Sequence, residues 1–405
     1  MTTIKSGSPL TQQAFSVALF SRATRGNNFA GLMTDNAPSA MDAKKTDPTQ
    51  QTPQGAPIVR VTDLSKTAGD KCSMDVFNPP RKKPTMGDQT LSGRGENLTF
   101  NTFDAIINQG RKMLNTGGKM TQKRTKIDLL RLSVSLLTPY YRQLSDEITT
   151  IHLAGSRGTD VNDWILPLDS DEDFADIMVN PIAPPTFDRH FYGNDATSLD
   201  TLDSTDKLTL ADIDRLRLLM QESANPLQPV KYTVDSLSDE NPFYVLCVSP
   251  RQWYDLQQSA GAQTLAALRA NAMQRAGKMD HPLFTGESYM FNNILIKRMA
   301  KPITFAANVG VSVSTNVAAA TTTTVIPTVK VDRAILLGAQ ALADIYGDAG
   351  DNSGAFAINT EDTDHKNAKE VSIRWMNGKK KIRFKDSRGY LSDFGCAVLD
   401  TARSG

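Results

Sequence analysis

Residues 120–154 read MTQKRTKIDLLRLSVSLLTPYYRQLSDEITTIHLA, the most regular stretch of the chain. Its apolar residues recur at alternating steps of three and four, which places them on one stripe of an α-helix. A helix of this length would span about 50 Å and could act as a strut. Pro139 lies inside it and predicts a kink, or two helices meeting near Thr138, because proline removes a backbone donor and crowds the preceding turn. The stripe consists of Ile127, Leu130, Val134, Leu137, Tyr141, Leu144, Ile148 and Ile151.

The opposite face of this predicted helix carries Lys123, Arg124, Lys126, Arg131, Arg142, Asp146 and Glu147. We expect this charged face to be solvated or to meet a partner. A two-stranded coiled coil would give a similar pattern, but the repeat lasts only about four heptads and lacks paired charges beside the seam. A strut packed on its own domain is therefore the favoured interpretation, with the coiled coil as the alternative.

The composition fits a chain with one large core or two modest ones, since 40% of its 405 residues are hydrophobic and 22% are charged. The formal net charge of +1 gives no overall argument for nucleic-acid or membrane binding. Cys72, Cys247 and Cys396 are few and widely spaced, which excludes a disulfide framework and a cysteine zinc site. With no signal region and no run of about twenty apolar residues, we expect a soluble, non-secreted protein.

The first 61 residues predict an arm. Phe15, Leu19 and Phe20, followed by Phe29, Leu32 and Met33, could form an amphipathic helix on a neighbouring surface. Residues 34–57 hold too little apolar surface for a core of their own.

A hairpin is predicted next, because Cys72, Met74 and Val76 alternate with polar residues and a return strand can be placed through Leu98 and Phe100. A further helix is expected from about Phe103. The tip of the hairpin is stiffened by prolines and is basic. It carries Arg81, Lys82 and Lys83 between Pro80 and Pro84.

Residues 155–208 lack periodicity and accumulate aspartate and proline, so we expect a surface insertion. Asp169, Asp171 and Asp173 have the spacing of the first calcium ligands of an EF-hand loop. However, Phe174 stands where that loop needs glycine and Asn180 where it needs glutamate. A solvated acidic loop is favoured over a metal site. Its carboxylates include Asp169, Asp171, Glu172, Asp173 and Asp176.

The second half of the chain predicts alternating helices and strands. The helices are expected at 210–220 with Thr209 as N-cap, from Pro250, at 263–275 and at 333–346. The strands are expected at 244–248, 294–296, 303–305 and 309–313.

Asn377-Gly378 stands between two alternating stretches, the pattern of a two-residue type I′ β-hairpin. That turn would pair Ile373 with Ile382 and would place Arg374 opposite Lys381, next to Arg383. Like charges opposite each other need neutralisation. A solvated basic face, a carboxylate-rich neighbour and packaged nucleic acid are the three interpretations.

The sequence offers little that could carry catalysis. No phosphate-binding glycine loop, nucleophile elbow or paired CxxC occurs, and His152, His190, His281 and His365 have no partner at helical spacing. We expect no enzyme, no cofactor and no metal. A metal-dependent enzyme would have to use the cluster at Asp169, Asp171 and Asp173.

The order of segments resembles the major capsid proteins of tailed bacteriophages, in particular the family typified by phage N4. The C-terminal half carries the local likeness in YVLCVSP from Tyr244, PLFTG from Pro282, MFNN from Met290, RAILLGAQA from Arg333 and DFG from Asp393. The N-terminal half adds Gly69-Asp70, LSGRGENL from Leu91, Gly118-Lys-Met and residues 124–129. The likeness covers most of the chain from about residue 60.

This resemblance implies the HK97-type capsid fold, an α+β fold with an N-terminal arm, an extended E-loop hairpin, a peripheral domain with a spine helix, and a mixed α/β axial domain. The implied segments are an arm at 1–61, the E-loop at 62–101, a peripheral domain at 102–228 with spine 120–154 and acidic insertion 155–208, an axial domain at 229–370, and a C-terminal hairpin and last strand at 371–405.

The function that the resemblance implies is self-assembly into hexamers and pentamers of an icosahedral phage head around double-stranded DNA, which is non-specific content. The implied partners are other copies, with scaffolding, portal and decoration proteins as further candidates and no membrane. The location would be the virion, after assembly in the host cytoplasm. An encapsulin-like nanocompartment is the alternative. We also predict that Arg81, Lys82 and Lys83 contact an acidic patch of a neighbouring copy, which Asp169, Asp171, Glu172, Asp173 and Asp176 could supply.

Overall fold

The computed structural model describes residues 33–36, 55–61, 69–77, 82–97, 100–124, 128–159, 164–223, 225–230, 243–276, 288–316, 321–347, 356–385 and 389–403. Most of the predicted N-terminal amphipathic helix, from Phe15 to Leu32, lies outside these residues, as do Arg81 and His281. Its last residue, Met33, begins a β-strand, so the helix prediction is wrong there.

The helices of the described part are α1 (Lys119–Arg124), α2 (Leu129–Ala154), α3 (Glu172–Met178), α4 (Leu210–Glu222), α5 (Pro250–Ser259) and α6 (Ala262–Ala276), with a 3₁₀ turn at Phe187–Arg189. The N-terminal strands are β1 (Met33–Asn36), β2 (Ile58–Val61), β3 (Lys71–Phe77), β4 (Phe100–Ile106), β5 (Asn108–Gly118) and β6 (His190–Tyr192). The middle strands are β7 (Tyr244–Val248), β8 (Tyr289–Phe291), β9 (Ile294–Arg298), β10 (Ile303–Phe305), β11 (Val311–Ser314) and β12 (Thr322–Val325). The C-terminal strands are β13 (Val331–Leu337), β14 (Leu342–Tyr346), β15 (Phe356–Thr363), β16 (Ala368–Lys381), β17 (Arg383–Lys385), β18 (Leu391–Asp393) and β19 (Cys396–Ala402).

The spine helix α2 forms as predicted from its stripe, but it begins later than residue 120. The Asp128 side chain accepts hydrogen bonds from the backbone N–H groups of Leu130 and Arg131, so a new helix starts there. The helix runs through Pro139 and ends at Gly155, whose φ of 70° is left-handed. The predicted single element is therefore two helices, with the boundary before Asp128 and not at Pro139.

The spine helix packs against both large sheets. Leu137 and Tyr141 are buried in a cluster with Val371 and Ile373, whereas Ile151 lies in the main core. The first half is buried on one face only, and Leu132 and Leu136 remain exposed. The second half is buried nearly all round.

The prediction that Asp146 and Glu147 lie on a solvated face is wrong. Both are buried. The Glu147 carboxylate accepts hydrogen bonds from the backbone N–H groups of Ile165 and Leu166, and its Oε1 lies 2.8 Å from Nζ of Lys301. These partners compensate the cost of burying the charge.

A seven-stranded sheet forms the larger core, in the order β6-β19-β13-β7-β9-β8 with β10 also paired to β13. The predicted strand at 244–248 is confirmed as β7, and Ser249 caps the helix that follows at Pro250. The predicted helix at 333–346 is wrong, because those residues form most of β13 and all of β14. Both strands are fully buried, and a continuous apolar run of this kind fits a central strand as well as a helix.

A six-stranded sheet has the order β1-β2-β14-β16-β15, with β5 paired to β16. The predicted hairpin at Asn377-Gly378 is wrong, because both residues lie inside the 14-residue strand β16. They pair with Tyr346 and Ile345 of β14. Ile373 pairs with Ile358 of β15, not with Ile382. The glycine is required there by a close approach of another chain segment, not by a turn.

The hairpin at 71–106 is confirmed, with β3 and β4 antiparallel and Cys72 opposite Ala105. The helix expected from Phe103 is wrong, since that residue lies in β4 and the chain continues into β5. The predicted helices at 210–220 and 263–275 are confirmed as α4 and α6.

Residues 164–208 are not a detached surface loop. They contribute Leu166, Phe174, Met178, Leu199 and Leu202 to the main core. Strand β6 of this stretch pairs in parallel with β19. The apolar side chains are spaced irregularly because most of the stretch is neither helix nor strand, which explains why the sequence pattern gave no element.

Candidate intersubunit contact surfaces

The acidic segment, residues 169–176, is held in place by the short helix α3. Phe174 is buried and faces the core, and Met178 at the end of the helix is buried with it. The Asp171 side chain accepts a hydrogen bond from the Asp173 backbone N–H at 3.0 Å and caps the helix. The carboxylates of Asp169, Asp171, Glu172, Asp173 and Asp176 are all exposed.

The acidic segment has no metal geometry. In the residues that the structure describes, no group of three or more His, Cys, Asp or Glu side chains could hold a metal ion. The carboxylates point outward from a fixed helix, so they form a negative surface.

A groove of about 740 Å³ opens beside the acidic segment. Its walls include Phe174 and Met178 on one side and Phe305 and Val311 on the other, with Asp169 at the lining. The groove offers apolar surface directly next to negative charge.

The hairpin tip, residues 82–97, is less basic than its sequence indicates. The Lys82 backbone N–H donates to Oε2 of Glu96 at 2.9 Å, and Nζ of Lys82 donates to the Gly95 carbonyl oxygen at 3.1 Å. Lys82, Lys83 and Arg94 are offset by Asp88 and Glu96. The tip also exposes two large apolar side chains, Met86 at 70% and Leu91 at 71%. It therefore presents a mixed surface.

The residues predicted to form one basic hairpin face are separated in the fold. Arg374 lies opposite Arg111 across the β5–β16 pair. Lys381 is buried, and its Nζ lies 3.0 Å from Oδ2 of Asp393. Burial lowers the pKa of Lys381, and the Asp393 carboxylate opposes that shift.

Arg383 also points inward, to Oδ1 of Asp393 and to the Pro184 carbonyl oxygen. Two of the three cations are thus satisfied inside the subunit. The shared basic face does not exist.

A buried charge cluster that the sequence pattern missed joins the larger sheet to the spine helix. Arg333 contacts Asp400 in a bidentate pair, with Nε 2.7 Å from Oδ1 and Nη2 2.6 Å from Oδ2. Nε2 of His190 lies 2.7 Å from the same Oδ2. Nη1 of Arg333 donates to the Ala154 carbonyl oxygen at the end of α2.

Burial disfavours the charged form of Asp400, but Arg333 and His190 hold the pKa of its carboxyl well below the usual range. Arg333 and Asp400 are fully buried and His190 is nearly so, out of reach of any substrate. The cluster is a structural joint between sheet and spine. Its members are far apart in the sequence, so no local motif could have revealed the cluster.

No helix of the described residues is long and apolar enough to cross a membrane.

Comparison with known proteins gives a consistent result. A family described as phage capsid protein matches residues 3–404. The capsid of Ralstonia phage GP4 is similar at 29% identity and a TM-score of 0.70, covering 86% of this chain and 88% of that one. A comparison with curated proteins found no match.

Two further solved structures share the fold at lower identity. The capsid of cyanophage Pam1 matches with 20% identity and a TM-score of 0.59, covering 86% of this chain and 89% of that one. The capsid of Helicobacter pylori bacteriophage KHP30 matches with 14% identity and a TM-score of 0.55, covering 86% and 88%.

Proposed function

Because this chain belongs to the phage capsid protein family, we propose that it is the repeating subunit that assembles into hexamers and pentamers of an icosahedral head around double-stranded DNA. Its role is structural and non-enzymatic, and its mixed α/β fold is that of HK97-like phage capsid proteins. The match of one family over residues 3–404 is the observation that carries the proposal.

The shape of the described subunit supports assembly with other copies. The hairpin tip extends from a two-stranded ribbon and exposes Met86 and Leu91. Large apolar side chains at the tip of a ribbon are typical of a surface that a partner covers. In a shell of identical subunits, that partner is another copy.

The proposal includes a contact between the hairpin tip of one subunit and a neighbouring copy. Lys82 and Lys83, with Arg81 beyond the described residues, would contact an acidic surface of a neighbouring copy. The acidic segment is one candidate for that surface. Because the tip is only weakly cationic, Met86 and Leu91 would contribute as much as charge does.

The finer features of the proposal concern location and partners. The subunit would assemble in the host cytoplasm and remain in the virion, with scaffolding, portal and decoration proteins as partners. An encapsulin-like nanocompartment would use the same fold for a shell that holds protein cargo. The nucleic-acid content of purified particles separates the two.

Negative-stain electron microscopy of the purified chain tests the proposal. We expect shells, tubes or rings far larger than one subunit, sensitive to protein concentration because assembly is a mass-action process. A protein that stays monomeric at every concentration and salt would contradict self-assembly.

A further inference from the structure

The two ends of the spine helix carry opposite charge. Arg131, near the start of the spine helix α2, and Lys119, Lys123 and Arg124 of α1, the helix before it in the chain, are all exposed, and we name these four residues the basic end. The structure shows no ion-pair partner for any of them among its described residues. The nearest acid, Asp128, uses its side chain to cap α2.

Exposed apolar side chains lie next to these cations in the chain. Met120 is 61% exposed, Leu132 41% and Leu136 54%. Leu132 and Leu136 are four residues apart and lie on the same face of the helix. Cations interleaved with exposed large apolar residues mark a surface that meets a protein partner.

The acidic segment lies at the opposite end of the spine. Gly155, which ends α2, lines the same groove as Phe174 and Met178 of α3. From Arg131 to His152 the helix rises about 30 Å. The basic end and the acidic segment of one subunit therefore cannot meet.

These charges do not serve the helix itself. A helix is stabilised by acids at its N-terminus and bases at its C-terminus, because they compensate its macrodipole. After the N-cap Asp128, the first turn of α2 contains Arg131 and no acid, and the acidic segment lies near the other end. The side-chain charges thus add to the helix dipole, which favours head-to-tail attraction between copies.

We propose that the basic end of one subunit binds the acidic segment of the next copy, with Leu132 and Leu136 packed at the apolar groove beside it. The interface is heterologous, so it closes a ring or propagates through a lattice. This inference rests on the proposed self-assembly and assigns it a specific contact. The basic end fits the acidic segment better than the hairpin tip does. Within the tip, the Lys82 ammonium group already donates to a backbone carbonyl oxygen, and Asp88 and Glu96 offset the positive charge.

DNA is the competing occupant of the basic end. Phosphate binding would use the cations alone and would not involve Leu132, Leu136 or the acidic segment. The two occupants therefore respond differently to changes at the acidic segment.

A charge-swap experiment tests the contact. The base variant is Lys123→Glu/Arg124→Glu/Arg131→Glu, and the acid variant is Glu172→Lys/Asp173→Lys/Asp176→Lys, which leaves the capping residue Asp171 in place. We expect each variant alone to lower the assembly rate, followed by light scattering at low salt, at least tenfold. The six-residue swap should return to within threefold of the wild type. Added salt should slow wild-type assembly, because it screens the pairs.

Lys207→Glu/Lys330→Glu/Lys385→Glu is the matched control, with the same change in net charge at exposed lysines elsewhere. If this control slows assembly as much as the base variant does, net charge explains the effect and the proposal is wrong. Circular dichroism before assembly confirms that each variant is folded. If only the base variant fails to fold, the acid variant alone must still show an assembly rate at least tenfold below that of the wild type.

The outcomes are distinct from those of the proposed function. If the wild-type chain never assembles, the proposed function itself is wrong. A wild-type chain that assembles, with a six-residue swap that does not recover, overturns only this contact. A base variant that assembles normally but binds less DNA in a filter assay overturns it as well and assigns the basic end to nucleic acid.

Discussion

The backbone carbonyl oxygen of Ile106 occupies the space into which a side chain at Gly378 would project. Gly378 lies inside the central strand β16, and Ile106 ends β4 at the base of the hairpin. The side chain of Asn180 hydrogen-bonds to both the N–H and the carbonyl oxygen of Ile106. The hairpin is therefore anchored where the sheet leaves no room for a Cβ atom.

Gly378→Ala should destabilise the isolated subunit by about 3 kcal/mol, because the new methyl group forces the hairpin base off the sheet. Urea unfolding measures the change. Gly95→Ala, at a position with open space around it, is the control and should unfold like the parent. Equal midpoints for both variants would show that the close approach at Gly378 is absent in solution.

Leu144→Ala should destabilise the subunit by about 2–5 kcal/mol, since Leu144 is 4% exposed and its loss leaves a cavity in the main core. Leu137→Ala, which removes a side chain buried against Val371 and Ile373, should destabilise the subunit to a similar extent. Arg131→Ala, on the exposed side, should leave the unfolding midpoint unchanged. If Leu144→Ala unfolds at the parent's denaturant concentration, the stripe is not core.

Arg333→Met should cost about 3–5 kcal/mol, because it removes the cation that pairs with the buried Asp400 carboxylate. His190 still contacts that carboxylate, but burial lowers the pKa of His190, so it does not replace the lost charge at neutral pH. The double variant Arg333→Met/Asp400→Leu removes the stranded charge and should recover part of that loss. Thermal or urea unfolding of both variants gives the comparison. A double variant less stable than the single one would contradict a role limited to charge compensation.

Acid should destabilise the subunit in part through His152, whose burial lowers its pKa to about 3 from an ordinary value near 6.5. Between these two pH values His152 is protonated in the unfolded chain but not in the folded chain, so the free energy of unfolding falls as the pH drops from about 6.5 toward 3. At pH 5 this contribution is about 2 kcal/mol. His152→Gln should flatten the loss of stability between pH 7 and 5 in urea titrations. An unchanged slope would place the proton uptake elsewhere.

Charge reversal at the tip, Arg81→Glu/Lys82→Glu/Lys83→Glu, should give a folded subunit that assembles poorly. Exposed pairs contribute only about 0–1 kcal/mol each, so the effect arises from repetition over many copies. Shell yield by sedimentation measures it. Wild-type yield at both low and physiological salt would rule the tip out as an electrostatic contact. Partial rescue by Asp173→Lys/Asp176→Lys, which leaves the capping residue Asp171 in place, would identify the acidic segment as its partner surface, and absence of rescue would place that partner elsewhere.

Elements with local signals could be predicted from the sequence. Thr209 and Ser249 each form a capping box at the start of a helix, and the strand before Ser249 is a short apolar run. Such signals act within one turn of chain, so no distant partner is needed to interpret them.

Elements decided by distant partners could not be predicted. Residues 333–346 are rich in Ala and Leu and favour a helix by propensity, but they form strands because β19 and β7 flank β13 and β2 and β16 flank β14. Asn377-Gly378 has the turn signature, yet β14 and β15 hold β16 extended. The candidate surfaces have the same limit. Lys123, Arg124 and Arg131 of the basic end lie on the charged face predicted from the sequence, but their separation from the acidic segment is set by the folded spine.

The sheet order constrains when the subunit can fold during synthesis. Strand β2 needs β14, and β5 needs β16, and each partner comes from the far end of the chain. Residues 58–61 and 108–118 leave the ribosome early and must wait for partners made near the end of translation. Neighbouring ribosomes on one messenger RNA thus carry chains whose six-stranded sheet is still open, and mature binding surfaces arise only as each chain is released.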